Sequence, residues 1–219
     1  DGIVPTTLAE RNLILDKNEL HDNIMLLDIG AGNTDIGVFE GTSFLYTNSI
    51  PVGGDNITND IALVLNISEE EADKLKRQYG LALKSFIDND NDIILNTCKD
   101  NNKNKIIKSS ELIEIIEARI EEMFSIVNRD ITNQGLKQKI NNVILTGQGI
   151  VNINKSDVAG KINLNIPVKI STGRAISTVK PIYRTSYALV RYIAARPFAK
   201  TVSSSIDTQT NESFVRNIW

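Results

Sequence analysis

The chain carries Asp28-Ile29-Gly30-Ala31-Gly32-Asn33-Thr34-Asp35, which directly follows a short and almost wholly apolar run at residues 24–27. Continuous apolar runs of this length are typical of a strand that is covered on both faces in an α/β sheet. Gly30 and Gly32 lack Cβ atoms, so a turn built on them can present backbone N–H groups to a phosphate at close range. Thr34 adds a hydroxyl donor. The segment therefore predicts a strand that ends in a phosphate-binding turn.

The two aspartates of this segment are candidate catalytic groups. Asp28 stands at the end of the predicted strand, where it can hold a hydrated Mg²⁺, a hard cation that prefers oxygen ligands and keeps several waters. Asp35 begins the next predicted strand and could orient an attacking water. The alternative is a plain hairpin turn in which aspartate and asparagine form local hydrogen bonds, because short glycine motifs have many false matches. Spacing alone leaves both interpretations open.

Two further glycine-rich elements lie next to predicted strands. Gly53-Gly54-Asp55 precedes a helical pattern, and a helix N-terminus with flexible glycines can approach phosphate oxygens. Gly147-Gln148-Gly149 follows the apolar run 142–146 and could let an adenine ring lie flat against the backbone. Taken alone, each element is more often a simple turn.

Asp73 and Lys76 form a candidate pair on a predicted helix. They are three residues apart, so they lie one turn apart on the same face, where a carboxylate and an amine could grip ribose hydroxyls. The default interpretation of such a pair is a surface ion pair that contributes very little to stability.

Composition limits the classes of function. The formal net charge of -3 over 219 residues does not favour a nucleic acid as a partner. Cys98 is the only cysteine, which excludes an internal disulfide, and His21 is the only histidine, which leaves histidine metal sites without ligands. No apolar run approaches the roughly 20 residues of a membrane-spanning helix. The chain opens at Asp1 rather than Met, and we expect it to be part of something longer.

The hydrophobic periodicity predicts an α/β fold with a mixed sheet, in the order β-β-β-α-β-α-β-α, and a small α/β insertion. The first fifty residues are predicted to form a three-stranded meander. The other predicted elements are a helix with Asp55 as N-cap, a helix from the Ser68 capping box to Tyr79, a small sheet within 81–108, a long helix opened by Ser109 or Ser110, a strand at 142–146, a short helix near Asp157, a strand at 168–171 and a last helix over 187–193.

The order of these motifs resembles the actin/Hsp70 ATPase superfamily, whose lobes have a ribonuclease H-like fold. More narrowly, the run from Ser49 to Ala62 followed by Glu70 to Gly80 resembles FtsA, a family of actin-like bacterial cell-division proteins. The resemblance covers roughly residues 1–196, and its most specific part is Ile-Pro-Val-Gly-Gly-Asp-Asn-Ile-Thr-Asn-Asp-Ile-Ala at 50–62.

The resemblance implies an ATP site with Mg²⁺, in which Asp28 positions the metal and Asp35 the hydrolytic water. The chain would supply the second phosphate loop, ribose contacts and an adenosine loop of that site. The residues implied in nucleotide binding are Gly30, Ala31, Gly32, Asn33, Thr34, Gly53, Gly54, Asp73, Lys76, Gly147, Gln148 and Gly149.

The resemblance also implies a division of the chain. It corresponds to the second lobe of the ATPase fold, with a core subdomain (IIA) at 1–66 and 109–196 and an insertion subdomain (IIB) at 67–108. A linker is expected at 197–213. Residues 214–219 are expected to begin an amphipathic helix that targets the membrane.

The implied function is bacterial cell division by an ATP-binding filament former. It would link the C-terminal tail of FtsZ to the inner face of the cell membrane at the division site, from the cytoplasm. We expect slow hydrolysis at most and little turnover from the isolated lobe. The alternatives are a non-hydrolysing scaffold of the pilus-assembly type, a small-molecule kinase of the same superfamily and an α/β interaction module without a ligand.

Overall fold

The computed structural model describes residues 3–15, 19–95, 105–171 and 183–195. The predicted linker at 197–213, the predicted membrane helix at 214–219 and Cys98 lie outside these residues. The elements are α1 (Thr6–Ile14), β1 (Ile24–Ile29), β2 (Thr34–Glu40), β3 (Ser43–Ile50), α2 (Gly54–Leu65), α3 (Glu69–Tyr79), β4 (Asp92–Leu95), β5 (Lys105–Lys108), α4 (Ser109–Asn133), β6 (Asn142–Thr146), α5 (Ser156–Leu164), β7 (Val168–Ile170) and α6 (Arg184–Ala194).

The main sheet has five strands in the order β3-β2-β1-β6-β7. β1, β2 and β3 pair antiparallel, which confirms the predicted meander. β6 pairs parallel with β1, and β7 pairs parallel with β6. The predicted mixed α/β sheet is therefore confirmed, and β1 is its central strand.

Side chains of β1 point alternately to the two faces of the sheet, as the period of a strand requires. Met25, Leu27 and Ile29 join the larger core, which packs under α2, α4 and α5. Ile24 and Leu26 join the smaller core on the face that α1 covers. Because both faces are buried, the strand needs the continuous apolar run that its sequence provides.

Local capping signals agree with the helices except at the start of α2. The N–H of Glu71 donates to the Ser68 hydroxyl, as the predicted capping box requires, and α4 begins at Ser109. The prediction of Asp55 as an N-cap is wrong, because Gly53 holds that position. Gly53 has no side chain that could cap the helix, and its N–H donates to the Asn56 side-chain oxygen at 2.9 Å.

Helix α1 was not expected from the periodicity. It is only nine residues long, and half of the side chains it buries are polar: Thr7, Glu10 and Arg11 beside Ala9, Leu13 and Ile14. A polar residue at a buried position removes the apolar stripe from which an amphipathic helix is predicted.

The insertion adds helix α3 and the β4–β5 hairpin to the larger core. Ile93, Leu95 and Ile107 are buried there, while Ile94 and Ile106 face outward from the same two strands. The buried side chains of the insertion belong to the same hydrophobic cluster as those of the main sheet. The division into subdomains IIA and IIB stays a prediction.

Candidate functional site

The three glycine-rich turns lie in residues 28–35 (first turn), 53–55 (second turn) and 147–149 (third turn). They meet at the end of the main sheet where β1 and β6 terminate. Because β1 and β6 are parallel neighbours with Asp28 paired to Thr146, the turns that follow them leave the sheet side by side. The N–H of Gly149 donates to the carbonyl of Ile29 at 2.9 Å, and the N–H of Gly54 donates to the carbonyl of Gly30 at 2.9 Å. Backbone hydrogen bonds therefore connect all three turns.

The glycines allow these turns to approach closely. A Cβ at Gly149 would lie 2.1 Å from the carbonyl oxygen of Gly30, and a Cβ at Gly54 would lie 2.6 Å from the Cα of Gly149. Gly147 has a φ of +94°, in the region that favours glycine. The N–H of Asp55 also donates to the carbonyl of Ala31 at 2.8 Å. The first two N–H groups of α2 are therefore already hydrogen-bonded to the first turn.

The open part of the site is the tip of the first turn. Ala31, Gly32 and Asn33 are exposed, and a Cβ at Gly32 would meet no atom within 4 Å. The Thr34 hydroxyl is buried and donates to the carbonyl of Val52 at 2.7 Å, so its proton points away from this tip. A phosphate group would have space at residues 31–33.

Asp35 is held at the surface by three donors. Its carboxylate accepts hydrogen bonds from the Thr6 hydroxyl at 2.9 Å, the Ser49 hydroxyl at 2.6 Å and the Asn33 side-chain amide at 2.7 Å. These contacts fix the orientation of the carboxylate beside the tip of the turn. The role of Asp35 in placing a water stays a prediction.

Asp28 lies in a buried cluster of charges that the sequence did not indicate. Arg184, the first residue of α6, donates from Nη2 to Asp28 Oδ1 at 3.0 Å and from Nη1 to the Thr146 hydroxyl at 2.7 Å. Its Nε lies 3.6 Å from Oε1 of Glu10. The Thr185 hydroxyl donates to the same oxygen of Glu10 at 2.5 Å. Two carboxyl groups thus share one guanidinium.

The pKa of the Glu10 carboxyl group is strongly shifted in this cluster. Its side chain is 0% exposed, and the pKa of Glu10 is raised from 4.5 to about 7, first by burial and second by the negative charge of Asp28. Arg184 and the Thr185 hydrogen bond lower the pKa by less than these effects raise it. The only sequence signal for Glu10 is its spacing of three and four residues from the buried Leu13 and Ile14, which is informative once α1 is known to be a helix.

The donor set around Asp28 does not fit a bound Mg²⁺ as it stands. Oδ1 of Asp28 already contacts a cation, the Arg184 guanidinium. Within residues 3–15, 19–95, 105–171 and 183–195, no group of three or more acidic, histidine or cysteine side chains is arranged to hold a metal ion.

Helix α3 faces the third turn across a small cleft. Asp73 and Lys76 line this cleft together with Gln148 and Gly149, so the predicted ribose pair and adenosine turn do lie together. Burial alone would raise the pKa of Asp73, but the hydrogen bonds from Arg77 and Lys76 outweigh it and hold the pKa below its ordinary value. Asp73 is therefore an anion at the edge of the cleft.

Lys76 anchors α3 to the start of α2. Its ammonium donates to the carbonyl of Gly54 at 3.0 Å and to the Thr58 hydroxyl at 2.6 Å, and lies 3.1 Å from Asp73. The three hydrogens of the ammonium match these three partners. Lys76 therefore holds the second glycine turn in place. A ribose hydroxyl could accept a hydrogen bond from Lys76 only by sharing an ammonium hydrogen with one of these three partners.

Lys76→Met is expected to lower the free energy of unfolding by about 2 kcal/mol, because the Gly54 carbonyl and the Thr58 hydroxyl lose a buried donor. The matched control is Lys74→Met on the same helix, where the exposed ammonium pairs with the exposed Glu70. That control should change the stability by less than about 0.5 kcal/mol. Urea unfolding of both variants measures the difference; equal losses would show that the Lys76 contacts carry no special stability.

The described residues have the fold of the actin-like ATPases. The structure is similar to MreB 5 of Spiroplasma citri bound to AMPPNP, with a TM-score of 0.68 and 18% identity, covering 92% of this chain and 61% of that chain. It is also similar to MamK in a double helical filament, with a TM-score of 0.60 and 16% identity, covering 88% of this chain and 58% of that chain. At these identities the likeness concerns the fold.

Sequence comparison gives the family. A family model described as "Cell division protein FtsA" matches residues 25–188. Cell division protein FtsA of Bacillus subtilis (strain 168) is 32% identical over 185 residues, which are 84% of this chain and 42% of that protein. The chain belongs to the FtsA family of bacterial cell-division proteins, as the sequence motifs indicated. It spans less than half of the length of this relative.

Among the described residues, no helix is long and apolar enough to span a bilayer.

Proposed function

We propose that the chain forms one wall of an ATP-binding cleft in a bacterial cell-division protein of the actin-like type. The observation that carries this proposal is the meeting of three glycine turns beside the Asp73–Lys76 pair, in a chain of the FtsA family. The phosphates would lie at the tip 31–33, the ribose near Asp73 and the adenine at Gln148. Gly53 would pack closely against the backbone of the phosphate turn at Ala31.

Hydrolysis in the intact protein would be slow. Asp35 is available to orient a water, whereas Asp28 is paired with Arg184. Mg²⁺ belongs to this proposal only as a companion of the nucleotide phosphates, because Oδ1 of Asp28 already contacts the Arg184 guanidinium. The nucleotide would serve mainly as a switch for assembly.

The proposed assembly is a filament of the intact protein at the inner face of the cell membrane. Subdomain IIB, residues 67–108, would bind the C-terminal tail of FtsZ, and residues 214–219 would begin the membrane-binding helix. The protein would therefore link FtsZ to the membrane from the cytoplasm. No nucleic acid is proposed as a partner, in keeping with the net charge of -3.

Gly32→Val tests the nucleotide site. A larger side chain at the open tip would fill the space proposed for the phosphates without meeting protein atoms near Cβ. We expect the affinity of the 219-residue chain for fluorescent ATP to fall about tenfold or more, a loss of about 1.4 kcal/mol or more in binding free energy. The matched control is Thr42→Val at the exposed turn between β2 and β3, which should bind like the wild type.

Equal binding by Gly32→Val and the wild type would contradict this site. ATP turnover by the isolated chain that Asp28→Ala abolishes would contradict the expectation of an inactive lobe.

A non-hydrolysing scaffold is the second candidate, and one specific observation favours it. The contact between Arg184 and Asp28 leaves the first predicted catalytic carboxylate engaged. Nucleotide binding with no turnover by the intact protein, under conditions where its filaments form, would support this candidate over an ATPase.

A further inference from the structure

The charge cluster at Asp28 contains its own cation. Glu10 and Asp28 bring two carboxyl groups to one guanidinium, and the Thr146 hydroxyl accepts a further hydrogen bond from it. The Arg184 and Asp28 side chains are each 13% exposed, and Glu10 is 0% exposed. Water therefore screens these charges little, and each must be balanced from within the cluster.

Arg184 reaches this position because α6 is docked on α1. Ala188 of α6 is fully buried against Ala9 and Leu13 of α1. The Thr185 hydroxyl binds Glu10 from the same first turn of α6. Two independent contacts at the start of α6 thus point its first residue towards the carboxyl pair, which distinguishes Arg184 from a mobile surface arginine.

We propose that the Arg184 guanidinium is the resident counter-ion of the Glu10–Asp28 pair and excludes a divalent cation from Asp28. A guanidinium cannot be deprotonated in proteins and is weakly hydrated, so it suits a buried pair of carboxyl groups. A divalent cation at Oδ1 of Asp28 would meet this positive charge at contact distance. The inference refines the proposed nucleotide site, because a metal that enters with the phosphates would have to lie away from Asp28.

Mn²⁺ is the probe that tests this inference, and the assay contains no nucleotide. The amide NMR signals of the 219-residue chain are recorded while MnCl₂ is added, since a bound paramagnetic ion broadens the signals of nearby residues. The wild type should show no selective broadening at residues 28–30 and 146. Arg184→Met should gain selective broadening there, with Mn²⁺ binding at least about tenfold tighter than in the wild type.

The matched control is Arg191→Met. Arg191 lies on the same helix, is exposed and contacts the ring of Tyr187 rather than a carboxylate, so its loss should leave Mn²⁺ binding as in the wild type. The double variant Arg184→Met with Asp28→Asn should lose the gained binding. This loss would assign the new cation site to Asp28.

Selective broadening around Asp28 in the wild type would overturn the inference, and this measurement needs no variant to fold. A folded Arg184→Met chain that gains no Mn²⁺ binding would also overturn it, since the arginine would then be a structural ion pair only. Arg184→Lys, which keeps a charge at the start of α6, should resemble the wild type if the methionine variant does not fold. Failure of ATP to bind in a separate titration would contradict the proposed function and leave this result unchanged.

Discussion

Gly149→Ala is expected to lower the free energy of unfolding by about 3 kcal/mol, the upper part of the usual range for overpacking. The new Cβ would lie 2.1 Å from the carbonyl oxygen of Gly30, 2.9 Å from that of Ile29 and 3.0 Å from the nitrogen of Gly54. All three are backbone atoms, so no side chain can rotate away to make room. The turns would have to separate, and the hydrogen bonds between them would break. Urea unfolding followed by circular dichroism measures the loss.

The matched control for this prediction is Gly32→Ala in the first turn. A Cβ there meets no atom within 4 Å, so the stability should change by less than about 0.5 kcal/mol. A Gly149→Ala chain as stable as Gly32→Ala would show that the turns do not pack as closely as described.

Glu10→Gln is expected to stabilise the protein at alkaline pH by about 3 kcal/mol and to have little effect near pH 4. One pKa unit corresponds to about 1.4 kcal/mol, and the pKa of Glu10 rises from 4.5 to about 7 on folding. Glutamine has nearly the same shape but never ionises, so it avoids the cost of a second buried negative charge beside Asp28. Urea unfolding of both proteins across this pH range measures the effect.

The sign follows from proton linkage. Between pH 4.5 and about 7 the folded protein holds a proton on Glu10 that the unfolded chain has lost, so the stability of the wild type falls as pH rises through this window. Above about pH 7 the full penalty is present. The exposed Glu121 of α4 provides a control, and Glu121→Gln should leave the pH profile unchanged. A Glu10→Gln profile parallel to that of the wild type would contradict the buried carboxyl pair.

Local signals were enough to predict most of the sheet. The apolar run at 24–27 predicted a strand buried on both faces, because a strand covered on both faces carries apolar side chains at consecutive positions. Ser68 and Glu71 predicted the start of α3, because their contact lies within one turn of the chain. These features depend on neighbours in sequence, and sequence alone therefore reveals them.

The charge cluster could not be predicted because its contacts join distant parts of the chain. Asp28 and Arg184 are separated by 156 positions, and Glu10 and Thr185 by 175. Nothing in the local pattern of α6 shows which partner its first residue will meet. The departure of α1 from a simple apolar stripe has a similar origin, since Glu10 and Arg11, two of the polar side chains it buries, bind residues outside the helix.

The glycine turns were located correctly from the sequence, but part of their physical role differs. The sequence predicts phosphate contacts for the first two turns and an adenine contact for the third, whereas the amides of Gly54, Asp55 and Gly149 donate to neighbouring carbonyls. The tip at 31–33 and the side chain of Gln148 remain exposed. Close backbone approach explains the absence of side chains at Gly54 and Gly149 without any ligand, so a nucleotide must be demonstrated by binding.

Amide chemical-shift mapping with a non-hydrolysable ATP analogue provides that demonstration, since it detects even weak binding by the 219-residue chain. We predict that the shifts concentrate at residues 31–33, at Asp73 and Lys76, and at 147–149, three segments far apart in sequence. Shifts centred on the β4–β5 hairpin, or no shifts at millimolar nucleotide, would contradict a nucleotide site at the meeting point of the three turns.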